Sequence, residues 1–294
     1  MEIERMHGRS RKLSIAILHV TLVASMTVVA FTATPAQADP AAATSLPRLT
    51  GSEAEPNGTS ATATPLTGTD RVRGNINPVG DVDFYSFTAT AGTRVYSAVM
   101  TSGSQSGNND SILALIGQDG TTVIEDDDNN GVFGSSASSI AGTTIPSNGT
   151  YYLRVTTAAQ QLRPYDLYLQ TRSGSPAAET EPNEAASPQS MPPSNWVSGS
   201  TSAASDVDAY NISLNAGDTV YVSLDMDPER NGEWNGRLNF GTFSGTLLTT
   251  NDAGSTGYDS EAFFTTVKSS GTYRVQVEAI TTFGTYNLST TVIS

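Results

Sequence analysis

Cysteine is absent from the 294-residue sequence, and the only histidines are His7 and His19. Beyond residue 19 the chain therefore has no thiol nucleophile, no imidazole general base, and no thiolate or imidazole ligand of the kind that holds zinc. This composition excludes whole classes of hydrolase and zinc protein. Without disulfides, a folded domain depends on the packing of its core, and on any bound metal ion, for its stability.

Basic residues are also scarce. The sequence has 15 lysines and arginines against 29 aspartates and glutamates, a net charge of −14. Beyond residue 38 the counts are 11 against 27, a net charge of −16, and Lys268 is the only lysine. Such an acidic surface repels nucleic acids and anionic lipids and attracts divalent cations. We expect no nucleic-acid partner.

Residues 1–38 have the pattern of a signal peptide. A basic start around Arg11 precedes a mostly apolar run, 13–31, and Ala36-Gln-Ala38 has the small-x-small form that signal peptidase cuts. An uncleaved membrane anchor is the alternative, because the apolar run nearly reaches the roughly 20 residues that span a bilayer. The cleavage motif favours release. We predict a secreted, extracellular protein with no membrane insertion after the signal is removed.

An acidic motif occurs twice in the remaining chain. Glu53-Ala-Glu-Pro-Asn57 returns as Glu179-Thr-Glu-Pro-Asn183 at an offset of 126, and Asp81-Val-Asp-Phe-Tyr85 returns as Asp206-Val-Asp-Ala-Tyr210 at an offset of 125. So constant a spacing indicates two copies of one domain. We predict domains at 52–172 and 178–294, a linker at 173–177, and a flexible lead-in at 39–51.

The pattern within each copy is that of β-strands. Residues 83–88 and 94–100 alternate in the manner of half-buried strands. Thr90-Ala-Gly-Thr93 predicts a hairpin between them, and Gln118-Asp-Gly120 predicts another after the apolar run 111–117. Short strands separated by Gly, Asn and Asp indicate an all-β fold of two tandem antiparallel β-sandwiches.

The motifs, in this order, resemble the bacterial pre-peptidase C-terminal domain family. These β-sandwich modules accompany many secreted proteases and include the collagen-binding modules of clostridial collagenases. The matching pattern is Glu-x-Glu-Pro-Asn, Asp-x-Asp-x-Tyr, Ala-Gly and Gly-Thr-Tyr, and it covers about residues 52–170 and 178–292. The resemblance implies a jelly-roll-like sandwich, often with Ca²⁺ bound where the acidic N-terminal segment meets the sheet.

The resemblance also implies a set of calcium ligands in each copy. These are Glu53, Glu55, Asn57, Asp81 and Asp83 in the first copy, and Glu179, Glu181, Asn183, Asp206 and Asp208 in the second. Alternate residues of an extended segment point to one side, so each motif gathers two carboxylates. Two such pairs repel each other unless a cation lies between them, and Ca²⁺ takes six to eight oxygen ligands. Ordinary solvated acids beside loops are the alternative interpretation.

Two other interpretations of the acidic residues are weaker. The loop that begins at Asp126 starts like an EF-hand, but its twelfth position is Ala137 and no helices are expected beside it, so a solvated turn is favoured. A pair of carboxylates can hydrolyse a glycoside. Nothing in the sequence distinguishes such a pair from the metal ligands, and we predict that the protein is not an enzyme.

Aromatic residues are the candidates for a binding surface. Trp234 lies in Asn231-Gly-Glu-Trp-Asn-Gly236, a loop-like context without apolar neighbours, and is the predicted ligand contact. We predict a monomer that binds an extracellular polymer, either a protein fibre or a polysaccharide. The alternative is a structural or accessory role beside a separately encoded secreted protease or envelope component.

Overall fold

The chain folds into β-strands along almost its whole described length. The computed structural model describes residues 51–67, 69–101, 105, 109–128, 137–157, 160–230, 232, 234–250, 260–280 and 282–293. This part contains twenty strands and one 3₁₀ turn, Ser60–Thr62, which confirms the predicted all-β class. Within it, no helix has the length and hydropathy needed to cross a membrane. The predicted signal peptide and residues 39–50 of the lead-in lie outside the described residues.

The first sandwich has two five-stranded sheets. Across one sheet the strands are β1 (Gly51–Ser52), β3 (Thr69–Ile76), β10 (Leu162–Arg172), β5 (Arg94–Met100) and β8 (Ser139–Thr144). Across the other they are β2 (Thr64–Pro65), β4 (Asp83–Ala89), β9 (Gly149–Thr156), β6 (Ile112–Ile116) and β7 (Val123–Asp127).

The second sandwich repeats this order strand for strand. One sheet consists of β11 (Ala177–Ala178), β13 (Trp196–Ser200), β20 (Thr285–Ile293), β15 (Thr219–Asp225) and β18 (Ser260–Thr266). The other consists of β12 (Gln189–Ser190), β14 (Val207–Leu214), β19 (Gly271–Ala279), β16 (Gly236–Thr242) and β17 (Gly245–Thr249). The repeated topology matches the repeated motifs, and the predicted tandem β-sandwiches are confirmed.

Alternation along the strands builds the two cores. In β9 the side chains of Tyr151, Leu153 and Val155 are buried, while Tyr152 and Arg154 between them are only partly covered. The longer strands pair antiparallel, and only the short first strand of each sheet pairs in parallel with its neighbour. Each sandwich therefore encloses an apolar cluster of its own between its two sheets.

The predicted hairpin at Thr90–Thr93 is wrong. β4 pairs with β2 and β9, whereas β5 lies in the opposite sheet between β10 and β8. The turn, with Gly92 at φ 82°, carries the chain from one sheet to the other. Two alternating strands joined by a tight turn have the same sequence pattern whether they pair side by side or face each other across a core.

The second predicted hairpin is confirmed, because β6 and β7 pair antiparallel. In its turn, Asp119 Oδ1 accepts hydrogen bonds from the backbone N–H groups of Thr121 at 2.9 Å and Thr122 at 2.8 Å. The Thr122 hydroxyl and these N–H groups lower the pKa of Asp119 to about 2. Gly120, at φ 73°, supplies the left-handed backbone that the turn requires.

The two sandwiches pack against each other through the outer faces of the sheets that contain β10 and β20, a contact called here the inter-sandwich interface. Tyr168 of β10 stacks on Tyr221 of β15, with ring centroids 5.1 Å apart. Ala98, Met100 and Ala262 complete a buried cluster around these rings. The interface is therefore a second hydrophobic contact region, separate from the two cores.

Equivalent surfaces meet at this interface. Gln170 and Thr291 hold the same place in the repeat, at the offset of 121 that also separates Tyr165 from Tyr286. Their side chains are 2.5 Å apart across the interface. A contact between equivalent positions is what an approximate two-fold axis produces, so the two copies pack as an internal pseudo-dimer.

A loop of the second sandwich closes one border of this interface. Arg230, which follows β15, donates to the carbonyl of Ala141 in β8 at 2.8 Å and lies 3.4 Å from Glu125 in β7. It also pairs with the buried Asp225 at 2.9 Å. The guanidinium thus covers the seam between the edge strands of the first sandwich and ties the two sandwiches together.

Candidate metal centres

Two clusters of three carboxylates lie at equivalent places in the two sandwiches. Glu53, Glu55 and Asp83 each place an oxygen within 4.8 Å of the others, and Glu179, Glu181 and Asp208 do the same. In both clusters the aspartate is buried at the start of a long strand, β4 or β14, while the second glutamate is exposed. The structure thus brings together all but one of the five predicted ligands in each copy, namely these three carboxylates and the asparagine beside them.

Backbone hydrogen bonds hold each acidic segment against the start of its long strand. The N–H of Phe84 donates to the carbonyl of Asn57 at 2.9 Å, and the N–H of Asn57 donates to Glu55 Oε2 at 2.9 Å. The equivalent bonds of the second copy measure 2.7 Å and 2.9 Å. This local turn places the exposed glutamate beside the buried aspartate.

A buried asparagine side chain completes each cluster. Asn57 and Asn183 are both 0% exposed. The Asn57 amide has one atom 3.1 Å from Asp83 Oδ1 and 3.2 Å from Glu55 Oε2. Two arrangements satisfy this contact: the amide nitrogen donates to both carboxylates, or the amide oxygen joins them as a third ligand of a cation.

Buried oxygens without donors distinguish the second cluster. Asn183 Oδ1 and both carboxylate oxygens of Asp208 accept no hydrogen bond in the described part of the chain. The nearby hydroxyl of Tyr286 donates to Glu179 at 3.0 Å. Burying a carboxylate without a partner is costly, and a cation ligated by these oxygens would remove that cost.

Paired tyrosines support the carboxylates from the core side. The Tyr85 hydroxyl donates to Glu53 Oε2 at 3.1 Å, the Tyr165 hydroxyl donates to Asp83 Oδ2 at 2.5 Å, and the two hydroxyls are 2.7 Å apart. Burial raises the pKa of both phenols well above 10, so they stay protonated and able to donate. A Cβ on Gly74 would lie 2.3 Å from the Tyr165 ring, which explains the glycine behind the pair.

The second copy has the same pair of tyrosines, but both of their hydroxyls donate to the glutamate and neither donates to the aspartate. Tyr210 and Tyr286 both donate to Glu179 Oε2, at 3.2 Å and 3.0 Å, and Gly199 stands behind them. This role of the tyrosines was not predicted from the sequence. A signal was present, because both members of the pair recur in the repeat.

The electrostatics of the clusters favour a cation. Burial raises the pKa of Asp83 well above its ordinary value of 3.8, and the charges of Glu53 and Asp81 raise it further. Burial raises the pKa of Asp208 to about 7; Tyr286 lowers it in part, and the charges of Glu179 and Asp206 raise it. Without a cation, each cluster thus holds its buried aspartate protonated over much of the acid and neutral range.

Asp81 and Asp206 lie outside the three-carboxylate clusters. Asp81 Oδ2 accepts a hydrogen bond from the N–H of Asn77 at 3.0 Å, and Asp206 Oδ2 accepts from the N–H of Ser202 at 2.6 Å. Each aspartate closes the turn that precedes its long strand. Their charge acts on the clusters from a distance, through the pKa of the buried aspartates.

The prediction that Trp234 lies at the surface is wrong. Its side chain is 3% exposed and belongs to the core of the second sandwich. The indole Nε1 donates to the carbonyl of Thr285 at 2.7 Å, and the ring packs over Gly236 and Gly284. The glycines that suggested an open loop are there because the indole occupies the space of their side chains.

Comparison with known proteins agrees with this architecture. Residues 81–157 match the family model of the bacterial pre-peptidase C-terminal domain. The predicted resemblance to that family is thereby confirmed, on a segment that runs from Asp81 of the first acidic cluster region through β9. No curated protein matches the chain.

Three solved structures to which the chain is similar have low sequence identity and low TM-scores. PliG of Aeromonas hydrophila, a periplasmic inhibitor of g-type lysozyme, is 15% identical with a TM-score of 0.28, covering 37% of this chain and 97% of that one. The CUB1-EGF-CUB2 region of human MASP-1/3 is 8% identical with a TM-score of 0.24, covering 76% and 99%. The CBM22 tandem of Paenibacillus barcinonensis Xyn10C is 11% identical with a TM-score of 0.20, covering 71% and 82%.

Proposed function

We propose that this protein is a non-catalytic extracellular binding module that holds one calcium ion in each sandwich. The observation that carries the proposal is the duplicated cluster, in which three carboxylates place oxygens within 4.8 Å of one another beside a buried asparagine. This arrangement recurs at equivalent positions of both copies, and in the second copy it leaves buried acceptor oxygens of Asn183 and Asp208 without donors. Chance clustering of surface acids does not account for such repetition.

The donor set is of the kind that calcium prefers, and it does not suit zinc. Every candidate ligand is a carboxylate or amide oxygen, and the sequence beyond residue 19 offers no histidine or cysteine for zinc. Glu53, Glu55, Asp83 and the Asn57 oxygen would hold the ion in the first sandwich. Their counterparts Glu179, Glu181, Asp208 and Asn183 would hold it in the second.

A bound ion would make each acidic segment part of its sandwich. In the second copy, Glu179 follows β11 directly and is the first acidic residue after the junction between the sandwiches. Neutralising its cluster would fasten this junction to the start of β14. We infer that calcium stabilises the module and does no chemistry in it.

The proposed sites can be counted by isothermal titration of the calcium-free protein. We expect two calcium ions per chain. Glu55→Gln and Glu181→Gln should each remove one, because a neutral amide oxygen replaces a charged ligand and one ionic contact is lost. Asp126→Asn, an exposed acid of β7 outside both clusters, is the matched control and should leave two. Full binding by the Glu55→Gln, Glu181→Gln double variant would contradict the assignment.

The exposed surface favours a protein ligand over a polysaccharide. Among the described tyrosines and tryptophans all are buried except Tyr152, which is half-buried. Stacking on sugar rings requires exposed aromatic faces. The large apolar side chains that remain exposed in the described part are Val79, Val123, Phe243, Leu247 and Phe283. This distribution supports binding to a protein fibre or, as the second candidate, to a secreted protein partner.

Co-sedimentation separates these ligand classes. With calcium present we expect the protein to pellet with insoluble collagen, used as a protein fibre, and to stay in solution with cellulose and chitin. Retention by either polysaccharide would contradict the inference from the buried aromatics. Failure to pellet with any of the three would favour the accessory role, in which the partner is a separately encoded secreted protein.

A further inference from the structure

An apolar groove runs along the seam between the edge strands β17 and β18 of the second sandwich. It has a volume of about 560 Å³. Phe240, Leu247, Leu248, Val267 and Tyr273 line it, and Lys268 lies at its border. Phe240 and Tyr273 stack at its base with ring centroids 5.2 Å apart. The groove opens directly onto an unpaired sheet edge, because among the described residues β17 pairs only with β16.

The hairpin beside this groove exposes two large apolar side chains. Phe243, in the turn between β16 and β17, is 79% exposed, and Leu247 of β17 is 60% exposed. The guanidinium carbon of Arg274 lies over the Phe243 ring, 4.6 Å from the centroid of that ring. One small area of the surface therefore carries both an apolar groove and apolar side chains that project from it.

The equivalent seam of the first sandwich shows what covers such an edge. There, between β7 and β8, Arg230 of the second sandwich pairs with Glu125 and with the carbonyl of Ala141. Leu248 holds the position of Glu125 in the repeat, because Leu248 pairs with Phe240 as Glu125 pairs with Leu115. The seam of the first sandwich is thus covered by the second sandwich. At the equivalent place, the seam of the second sandwich has the apolar Leu248 instead of the acidic Glu125.

The distribution of charge is also compatible with a second copy of the chain at this groove. Beyond residue 38 the net charge is −16, so two copies repel each other over most of their surface. The groove is an exception, because none of the described residues that line it is acidic and Lys268 is its one charged residue. A second copy that docks through the same patch therefore brings no carboxylate of the lining against another carboxylate.

We propose that this patch, formed by the β16–β17 hairpin and the seam between β17 and β18, binds the same patch of a second copy of the chain. A groove and a projecting apolar side chain within one patch are what a self-complementary two-fold contact requires. Phe243 and Leu247 of each copy would cover the groove of the other. Such a dimer, formed through the second sandwiches, would replace the monomer predicted from the sequence, and its formation would not depend on calcium.

Sedimentation equilibrium over a concentration range from about 1 µM to about 500 µM tests the proposal on the full secreted chain. We expect a reversible monomer–dimer equilibrium. Leu247→Lys and Phe243→Ser should each raise the dissociation constant at least about tenfold, because each removes an apolar contact from the centre of the patch. Both residues are exposed, so circular dichroism of the variants should be unchanged.

Val123→Lys provides the matched control. Val123 is an exposed apolar residue of β7, the strand of the first sandwich that corresponds to β17, and it is 42% exposed. Its replacement should leave the dissociation constant unchanged. The proposal is overturned by a monomer at every concentration, by a dimer that survives Leu247→Lys and Phe243→Ser, or by an equal loss of dimer in Val123→Lys.

Discussion

Without calcium, the protein is expected to become less stable as the pH rises from about 4 to 7, and calcium is expected to remove much of that loss. The cause is the pair of buried aspartates, Asp83 and Asp208. Burial raises the pKa of Asp208 from 3.8 to about 7 and raises that of Asp83 as well. The folded state then binds more protons than the unfolded state across this interval, so the free energy of unfolding falls as pH rises.

The expected loss of stability between about pH 4 and 7 is moderate. After an allowance for solvent screening, ionisation of Asp208 costs about 2 kcal/mol, which lowers the melting temperature by about 4 to 8 °C. Calcium restores this amount because it stabilises the ionised form and binds the native state alone. Two other carboxyls, Glu125 and Asp225 at the inter-sandwich interface, also have a raised pKa, so part of the decline should persist with calcium.

Calorimetry at pH 5, 6 and 7.5, with a chelator and with calcium, measures the effect. The Asp208→Asn variant is the control, since its side chain cannot ionise and its share of the pH dependence should disappear. Groups with a lowered pKa, such as Asp119 and Glu278, act near or below pH 4.5 and leave this interval undisturbed. A chelated protein that gains stability between pH 5 and 7.5 would refute the cation hypothesis for the clusters.

The acidic clusters could be predicted because their signal lies in one place in the sequence. Each pairs a Glu-x-Glu segment with an Asp-x-Asp strand start, and the repeat shows that both elements recur together. Alternation then indicates which carboxylates share a side. The sequence did not show that Asp81 and Asp206 lie outside the clusters. Each of them closes a turn and stands only two residues before an aspartate that belongs to the cluster, so the two roles have the same local pattern.

The inter-sandwich interface could not be predicted from the same patterns. Tyr168 and Tyr221 point away from their cores, and alternation assigns such positions to the solvent. They are buried only because another sheet covers them. A pattern of period two indicates which face of a sheet a residue occupies. It carries no information on what packs against that face, so aromatic residues at outer positions counted among the candidates for a binding surface.

Trp234 illustrates the opposite error. Its neighbours in the sequence are polar or glycine, which is typical of a surface loop, yet its contacts come from distant positions in the chain, Thr285 and Tyr286 among them. Glycines on either side of an indole can mean an exposed loop or close packing under the ring. Only the three-dimensional arrangement separates these two cases.

Replacing Gly142 by alanine is expected to open the inter-sandwich interface. Gly142 lies in β8 at φ 76°, and a Cβ added there would be 1.8 Å from Asp225 Oδ2 of the second sandwich. Asp225 is 0% exposed and pairs with Arg230 at 2.9 Å, with Arg94 of the first sandwich 3.8 Å away. If the carboxylate turns aside, its ion pair with Arg230 breaks and a buried charge loses its nearest cation.

The cost should exceed that of an ordinary glycine replacement. The left-handed backbone alone costs about 1 kcal/mol, and disruption of a buried ion pair adds about 3 kcal/mol or more. We expect the native protein to melt in a single calorimetric transition and Gly142→Ala to melt in two, one for each sandwich, with the first at least about 8 °C lower. Each sandwich keeps its own core, so both should still fold.

Gly92→Ala is the matched control for this experiment. Gly92 belongs to the same sandwich and has a similar φ of 82°, but no atom lies within 4 Å of the added Cβ. It should lower the melting temperature by only about 2 to 4 °C and leave one transition. If Gly142→Ala behaves like Gly92→Ala, the two sandwiches are not held by the contact between Gly142 and Asp225, and the ion pairs around Arg230 would be incidental to their association. If the transition splits, the stability of each calcium cluster becomes separately measurable, because Glu55→Gln should then shift one transition and Glu181→Gln the other.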